Sequence, residues 1–323
     1  VLNTNMTHPL NSVIEFLKSN GIVFDIKTKG RVEIFSPEFI DVYSNDGRYE
    51  TLTFINSIHH IVFRFRLKLH INFEHLERMS AAAAVMLFAE ITSAQLIASE
   101  PDVITFSQPK SKGAKKVFSE YDFYKAIKPG SLKKIESLFK QNCFFQSGTE
   151  PVAHAKSAIE ALKRSGLTVV KSEAHIFQAS ILEAMSNVRH HSYKPDTNEQ
   201  NKRWWQFAHF DKNNSALHFV VYDRGRGIPS TMSTISPDHY NEGQRIEHAL
   251  VLDVSSKIDE PGRGKGSREI LRTYDKNHDT SLLIYSGKGI YYRDKEDDIK
   301  IVEEGQYPIK GTIIEWQIPY KAG

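Results

Sequence analysis

Cysteine is nearly absent from this chain: Cys143 stands alone among 323 residues. One thiol can form neither an intrachain disulfide nor a thiolate metal cage, which favours a reducing compartment. Long apolar runs are missing too. The longest, Ala81 to Ala89, falls well short of the roughly 20 residues that cross a bilayer, so no membrane partner is expected. The opening residues Val1–Leu2–Asn3–Thr4–Asn5 lack the basic and apolar regions of a secretion signal. The expected location is the cytoplasm. A strong excess of one charge is lacking as well, since the net charge is only +3. That is no footprint of a dedicated nucleic-acid binder, and nucleic acid is not indicated. The lysines at Lys110, Lys112, Lys115 and Lys116 read as a solvated helix face.

What is present describes a globular protein long enough for two domains. In the first half, Ser12 to Ser19 predicts a leading helix within residues 1–28, stopped at Asn20–Gly21. Arg31 to Phe35 predicts a strand. From Phe63 to Phe73 apolar and polar residues alternate, the period of a strand with one face on a core, although its first residues could belong to a preceding helix. Ser80 is placed to cap a helix running to about Ser99. Val103 to Phe106 reads as a strand and Lys112 to Ile127 as one helix. This alternation predicts a small α/β domain over residues 29–130.

Residues 131–150 read as a connector, and a second α/β domain spans 151–323. Helices are expected at Ala153–Arg164, Glu173–His191, Gln244–Ser256 and Ser267–Tyr274. Strands are expected at Trp204–Phe210, Ala216–Tyr222, Ser281–Tyr285, Gly289–Tyr292 and Thr312–Ile318. Trp204–Trp205 reads as support for a core or an interface. The histidines His154, His175, His190 and His191 lack a convincing ligand spacing, and no metal cluster is expected from them.

Three stretches of this second domain carry chemistry. Glu183, Asn187 and His191 lie four residues apart and share one stripe of a helix. A glutamate one turn before an asparagine can set a base beside a magnesium ligand, because the amide carbonyl is a hard oxygen donor. The competing reading is an exposed polar face. Next, Asp223 ends a predicted strand and is followed by Gly225 and Gly227. A buried carboxylate needs a donor, and an adenine amino group is one. The glycines permit close approach of the backbone, although an Asp–Gly surface turn has the same composition. Pro229 is expected to stop a helix from following Gly227 in the usual register, and Ser230 stands where a dinucleotide fingerprint needs its third glycine. Last, Gly262, Gly264 and Gly266 precede a helix, where backbone N–H groups cradle phosphate and Arg263 and Lys265 can neutralise it. A plain glycine-rich surface loop is the alternative. Gly266 between Lys265 and Ser267 rules out a P-loop.

Together with Gly311–Thr312, these stretches resemble the ordered motifs of the GHKL ATPase superfamily, which includes gyrase, histidine kinases and mismatch-repair ATPases. The resemblance covers residues 151–323. It implies an α/β (α+β) chain whose C-terminal part is a two-layer sandwich of the Bergerat type with a mixed sheet. It also implies ATP and Mg2+ as cofactors. By resemblance, Glu183 is the general base and Asn187 the magnesium ligand. Asp223 binds the adenine amine, with Gly225, Gly227 and Ile228 around it. Gly262, Arg263, Gly264, Lys265, Gly266 and Ser267 form the phosphate lid, Thr312 lies on the adenine side, and His191 matches the last position of the helical motif in small serine-kinase members. The lid carries Lys265 and Ser267 where the family usually has leucines.

Residues 31–130 resemble, more loosely, the STAS fold of anti-anti-sigma factors, through Ile71–Asn72–Phe73–Glu74–His75–Leu76 and the helix opening at Ser80. Ser80 falls on that family's aspartate position and Ala81 on its phosphoacceptor, which argues against a standard phosphoswitch. The expectation is an ATPase that couples nucleotide turnover to a protein partner, with room for a homodimer. A serine/threonine protein kinase of the anti-sigma type and a nucleotide-sensing module with little turnover are the alternatives.

Overall fold

The computed structural model describes residues 7–27, 30–98, 100–167, 171–251, 266–277 and 279–319. The fold is mixed α+β and divides into two compact units, Val1–Leu138 and Phe139–Gly323.

In the first unit α1 (Thr7–Ser19) leads into β1 (Phe24–Ile26), β2 (Val32–Phe35) and β3 (Phe39–Ile40). Then come α2 (Asn45–His59), β4 (Leu69–Asn72), β5 (Arg78–Met79) and α3 (Ala81–Ile97). The unit closes with β6 (Ile104–Ser107), α4 (Lys112–Ser119), α5 (Phe123–Ile127) and α6 (Leu132–Lys140). Its main sheet has the order β1-β2-β4-β6, antiparallel at the β1 edge and parallel elsewhere. Ile34, Ile71 and Phe106 are register partners on one face. Glu33, His70 and Thr105 align on the other, where His70 Nδ1 lies 2.9 Å from Thr105 Oγ1. The Ser80 hydroxyl accepts from Ala83 N–H and caps α3, whose residues from Ala82 to Gln95 are all buried. A helix apolar all round is a central core helix.

Several sequence expectations change here. The alternation from Phe63 to Phe73 is strand only over Leu69–Asn72. Its first residues continue α2 as a wide, five-residue-spaced turn, His60–Arg64, and Arg66 then turns the chain at φ 56°. The single helix expected over Lys112–Ile127 is two, because Asp122 adopts φ 63°. The connector expected at residues 131–150 instead holds α6 and β7 (Phe145–Gly148). α2 was not foreseen, although Ser44 caps it and Thr51, Phe54, Ile55 and Ile58 bury one face.

The second unit continues from β7 with α7 (Pro151–Arg164), α8 (Lys171–Asn187), β8 (Trp204–Asp211) and β9 (Ala216–Asp223). α9 (Ile228–Met232), α10 (Glu242–Val251) and α11 (Gly266–Lys276) precede β10 (Ser281–Asp294) and β11 (Ile299–Pro319). Among the described residues the five-stranded sheet, β10-β11-β9-β8-β7, is antiparallel throughout, which corrects the expected mixed sheet. The connections explain this. Short turns join β8 to β9 and β10 to β11, and the helix pair α7–α8 returns the chain to the end it left. Helices line one face in the order α7, α8, α11, α10. Phe177 of α8 packs edge-on to Phe219 and Trp316, which are register partners on β9 and β11. Burying each such ring is worth roughly 2–3 kcal/mol, so this seam fixes α8 over the sheet.

Candidate functional site at the end of β9

Side chains alternate along a strand, so the face that presents Phe219 to α8 also presents Val221 and then Asp223. Trp204 on β8 and Thr312 on β11 are the register partners of Asp223 and share that face. The β9 carboxyl therefore emerges under the helix layer, and Asp223 is only 2% exposed. Its Oδ1 accepts from Gly225 N–H at 2.7 Å, and the nearby Ser192 hydroxyl also favours its ionised form. Burial dominates these two donors and pushes the acid up to about 7.

α8 reaches this carboxyl through its own C-terminal extension. The expected helix Glu173–His191 ends at Asn187, and Val188–Ser192 follows as a second wide turn. Such turns often sit at functional positions. Ser192 O accepts from Arg226 N–H at 2.7 Å, and His191 O accepts from the Arg226 guanidinium at 3.0 Å. A Cβ on residue 225 would lie 2.2 Å from Ser192 O, so glycine there is a steric requirement. Tyr193 continues the contact by donating to Arg203 O at 2.5 Å and accepting from Arg224 N–H at 3.2 Å.

Gly227 has φ 80° and is followed at once by α9. Pro229, expected to stop a helix, lies in the first turn of α9, where its missing N–H and fixed φ are tolerated. Ile228 N–H donates to Ser286 Oγ at 2.8 Å. Ser286 in turn donates to Gly311 O at 2.9 Å and lies 2.9 Å from Thr312 Oγ1. Gly311 sits at φ 83°, where a Cβ would come within 2.0 Å of Asp223 O. One serine thus joins the β9 turn to the β10–β11 hairpin.

Glu183 and Asn187 lie on α8 before the wide turn, near enough for the Asn187 side chain to favour the Glu183 carboxylate. Burial and the neighbouring Glu269 of α11 raise the Glu183 acid, against the lowering effect of Asn187. Ser180 of α8 bonds Glu269 O, and its hydroxyl lies 2.7 Å from Thr273 Oγ1. These bonds hold the start of α11 beside the Glu183 segment.

No protein-family model matches this chain, and no curated protein matches it significantly. What bears on function is therefore the geometry. It brings Asp223, Gly225, Gly227, Ile228 and Thr312 together, adds the His191 backbone, and sets Glu183 and Asn187 on the helix that docks there. Gly266 and Ser267 open α11, whereas Gly262, Arg263, Gly264 and Lys265 lie outside the described residues. Sequence reasoning missed Ser192, Tyr193, Glu269 and Ser286. The first two directly follow His191, and that adjacency was the available signal. No cluster of three or more histidine, cysteine or acidic residues suited to a metal occurs among the described residues. No described helix is long and apolar enough to cross a membrane.

Proposed function

We propose that residues 139–323 form a GHKL-type Mg-ATP-binding unit that hydrolyses ATP and passes the change to a protein partner, with a STAS-like first unit. One observation carries this reading. The helix bearing Glu183 and Asn187 docks, through Ser192 and Tyr193, on a buried carboxyl at a strand end flanked by two sterically required glycines.

The residues present suit the nucleotide and its ion. Asp223, when ionised, accepts from an exocyclic amine. The Asn187 carbonyl is a hard oxygen donor that suits a divalent cation. Magnesium supplies neutralisation of the phosphate charge when bound. Glu183 takes the proton of the water that attacks the γ-phosphorus, as the bond to the β-phosphate oxygen breaks and ADP leaves. Burial raises its affinity for a proton, which makes it a stronger base than an ordinary glutamate. Gly262 to Ser267 would donate backbone N–H groups to the phosphates.

Calorimetry with a non-hydrolysable ATP analogue tests the assignment. The wild type should bind and Asp223→Asn should bind at least tenfold more weakly; equal binding by both removes the adenine contact. Glu183→Ala should keep binding and lose turnover. Labelled ATP offered with candidate partner proteins separates hydrolysis from phosphotransfer, since label retained on protein would favour the kinase reading.

A further inference from the structure

A hydroxyl has one hydrogen and two lone pairs, and at Ser286 all three are assigned. Ser286, in β10, is fully buried. Its hydrogen goes to Gly311 O, which can only accept, at 2.9 Å. One lone pair takes the Ile228 N–H at 2.8 Å. In the remaining contact, 2.9 Å to Thr312 Oγ1, Ser286 therefore accepts and Thr312 donates. Two glycines permit this junction. A Cβ on residue 227 would lie 2.9 Å from Ser286 Oγ, and one on residue 311 would lie 2.0 Å from Asp223 O.

Thr312 is buried and is the register partner of Asp223. Residues directly opposite in an antiparallel pair hold their Cβ atoms roughly 4.5–5.5 Å apart on one face. With its only hydrogen committed to Ser286, the Thr312 hydroxyl has nothing but lone pairs for a further neighbour on that face. We infer that Ser286 is a positioning residue that fixes the polarity of Thr312: the threonine hydroxyl beside Asp223 is locked as an acceptor, so the strand end takes a ligand edge bearing N–H donors and turns away a carbonyl oxygen. This rests on the nucleotide reading for the identity of the ligand, a 6-aminopurine rather than a 6-oxopurine. An exocyclic amine carries two N–H groups, which suits a carboxylate and an accepting hydroxyl side by side.

The test uses the full chain. Without nucleotide, at pH 6.5, NMR should find a slowly exchanging Thr312 hydroxyl proton, coupled to its own Hβ, that is lost in Ser286→Ala. Calorimetry follows at pH 8.5, above the Asp223 midpoint of about 7. The wild type should bind the β,γ-imidotriphosphate of adenosine about a hundredfold more tightly than that of inosine, whose carbonyl sets acceptor against acceptor. Ser286→Ala should cut that preference about tenfold, because a released Thr312 hydroxyl can turn and donate to the carbonyl. Thr312→Val keeps the shape, removes the oxygen and should also cut the preference. Adding Ser286→Ala to Thr312→Val should then change the ratio no further. A serine that only supports the fold would weaken both ligands equally, and an unchanged ratio in Ser286→Ala overturns the inference. So does a wild-type Thr312 hydroxyl proton that exchanges freely. If Ser286→Ala does not fold, Thr312→Val decides, and an unchanged ratio there is equally fatal. A protected hydroxyl proton with neither analogue bound by any variant upholds the polarity of Thr312 and sinks the nucleotide reading instead.

Discussion

Asp223 carries a large electrostatic strain, and its sign can be worked out. Its folded value, about 7, lies above the ordinary 3.8. Between those values the native state binds more protons than the unfolded chain, so stability falls as pH rises from about 4 to 7 and then levels off. The gap corresponds to roughly 4 kcal/mol at most. Asp223→Asn keeps an acceptor for Gly225 and removes the charge. It should therefore stabilise the protein at pH 8 and change little at pH 4, as read by urea denaturation at both. Equal effects at the two pH values would mean that the carboxyl is ionised at little cost. Gly225→Ala is the steric counterpart. A methyl 2.2 Å from Ser192 O must push α8's extension away, at a cost of roughly 1–3 kcal/mol of unfolding free energy, read from denaturant unfolding.

Among the elements, the β10–β11 hairpin and the β9 turn are joined by Ser286. Ser286→Ala strands the Ile228 N–H and should destabilise by roughly 1–3 kcal/mol with an unchanged denaturant slope. A silent substitution would show that water replaces the hydroxyl. This joint was not legible in the sequence, because nothing local marks Ser286 as the partner of a residue 58 positions earlier. Elements set by local periodicity or caps were legible: the Ser80-capped helix, β8, β9 and the Glu183–Asn187 stripe. Elements set by context were not. β4 shares its alternation with the end of a helix, and β7 is a strand only because Phe145 to Gly148 pair with β8. Strand direction was misjudged for a related reason. Parallel or antiparallel pairing depends on how many helices intervene and how they pack, which no motif records.

On the scale of the whole molecule, every described residue of the proposed site belongs to the second unit. Heating the full chain in a calorimeter should give two transitions. A magnesium–ATP analogue should raise only one, by about 2.7 kcal/mol of stabilisation at a hundredfold excess over Kd. A shift of both, or of neither, would separate the ligand from the unit to which it is assigned.

The tryptophans have a practical consequence. All three of the chain's indoles, Trp204, Trp205 and Trp316, belong to that same unit. Trp204 lies opposite Asp223 in the β8–β9 ladder, and the Trp316 ring N–H donates to Ile270 O of α11 at 3.2 Å. Intrinsic emission excited at the red edge is thus blind to the first unit. Their combined signal reaches the acidic strand end through Trp204 and the helix beyond the glycine-rich stretch through Trp316, without any attached dye.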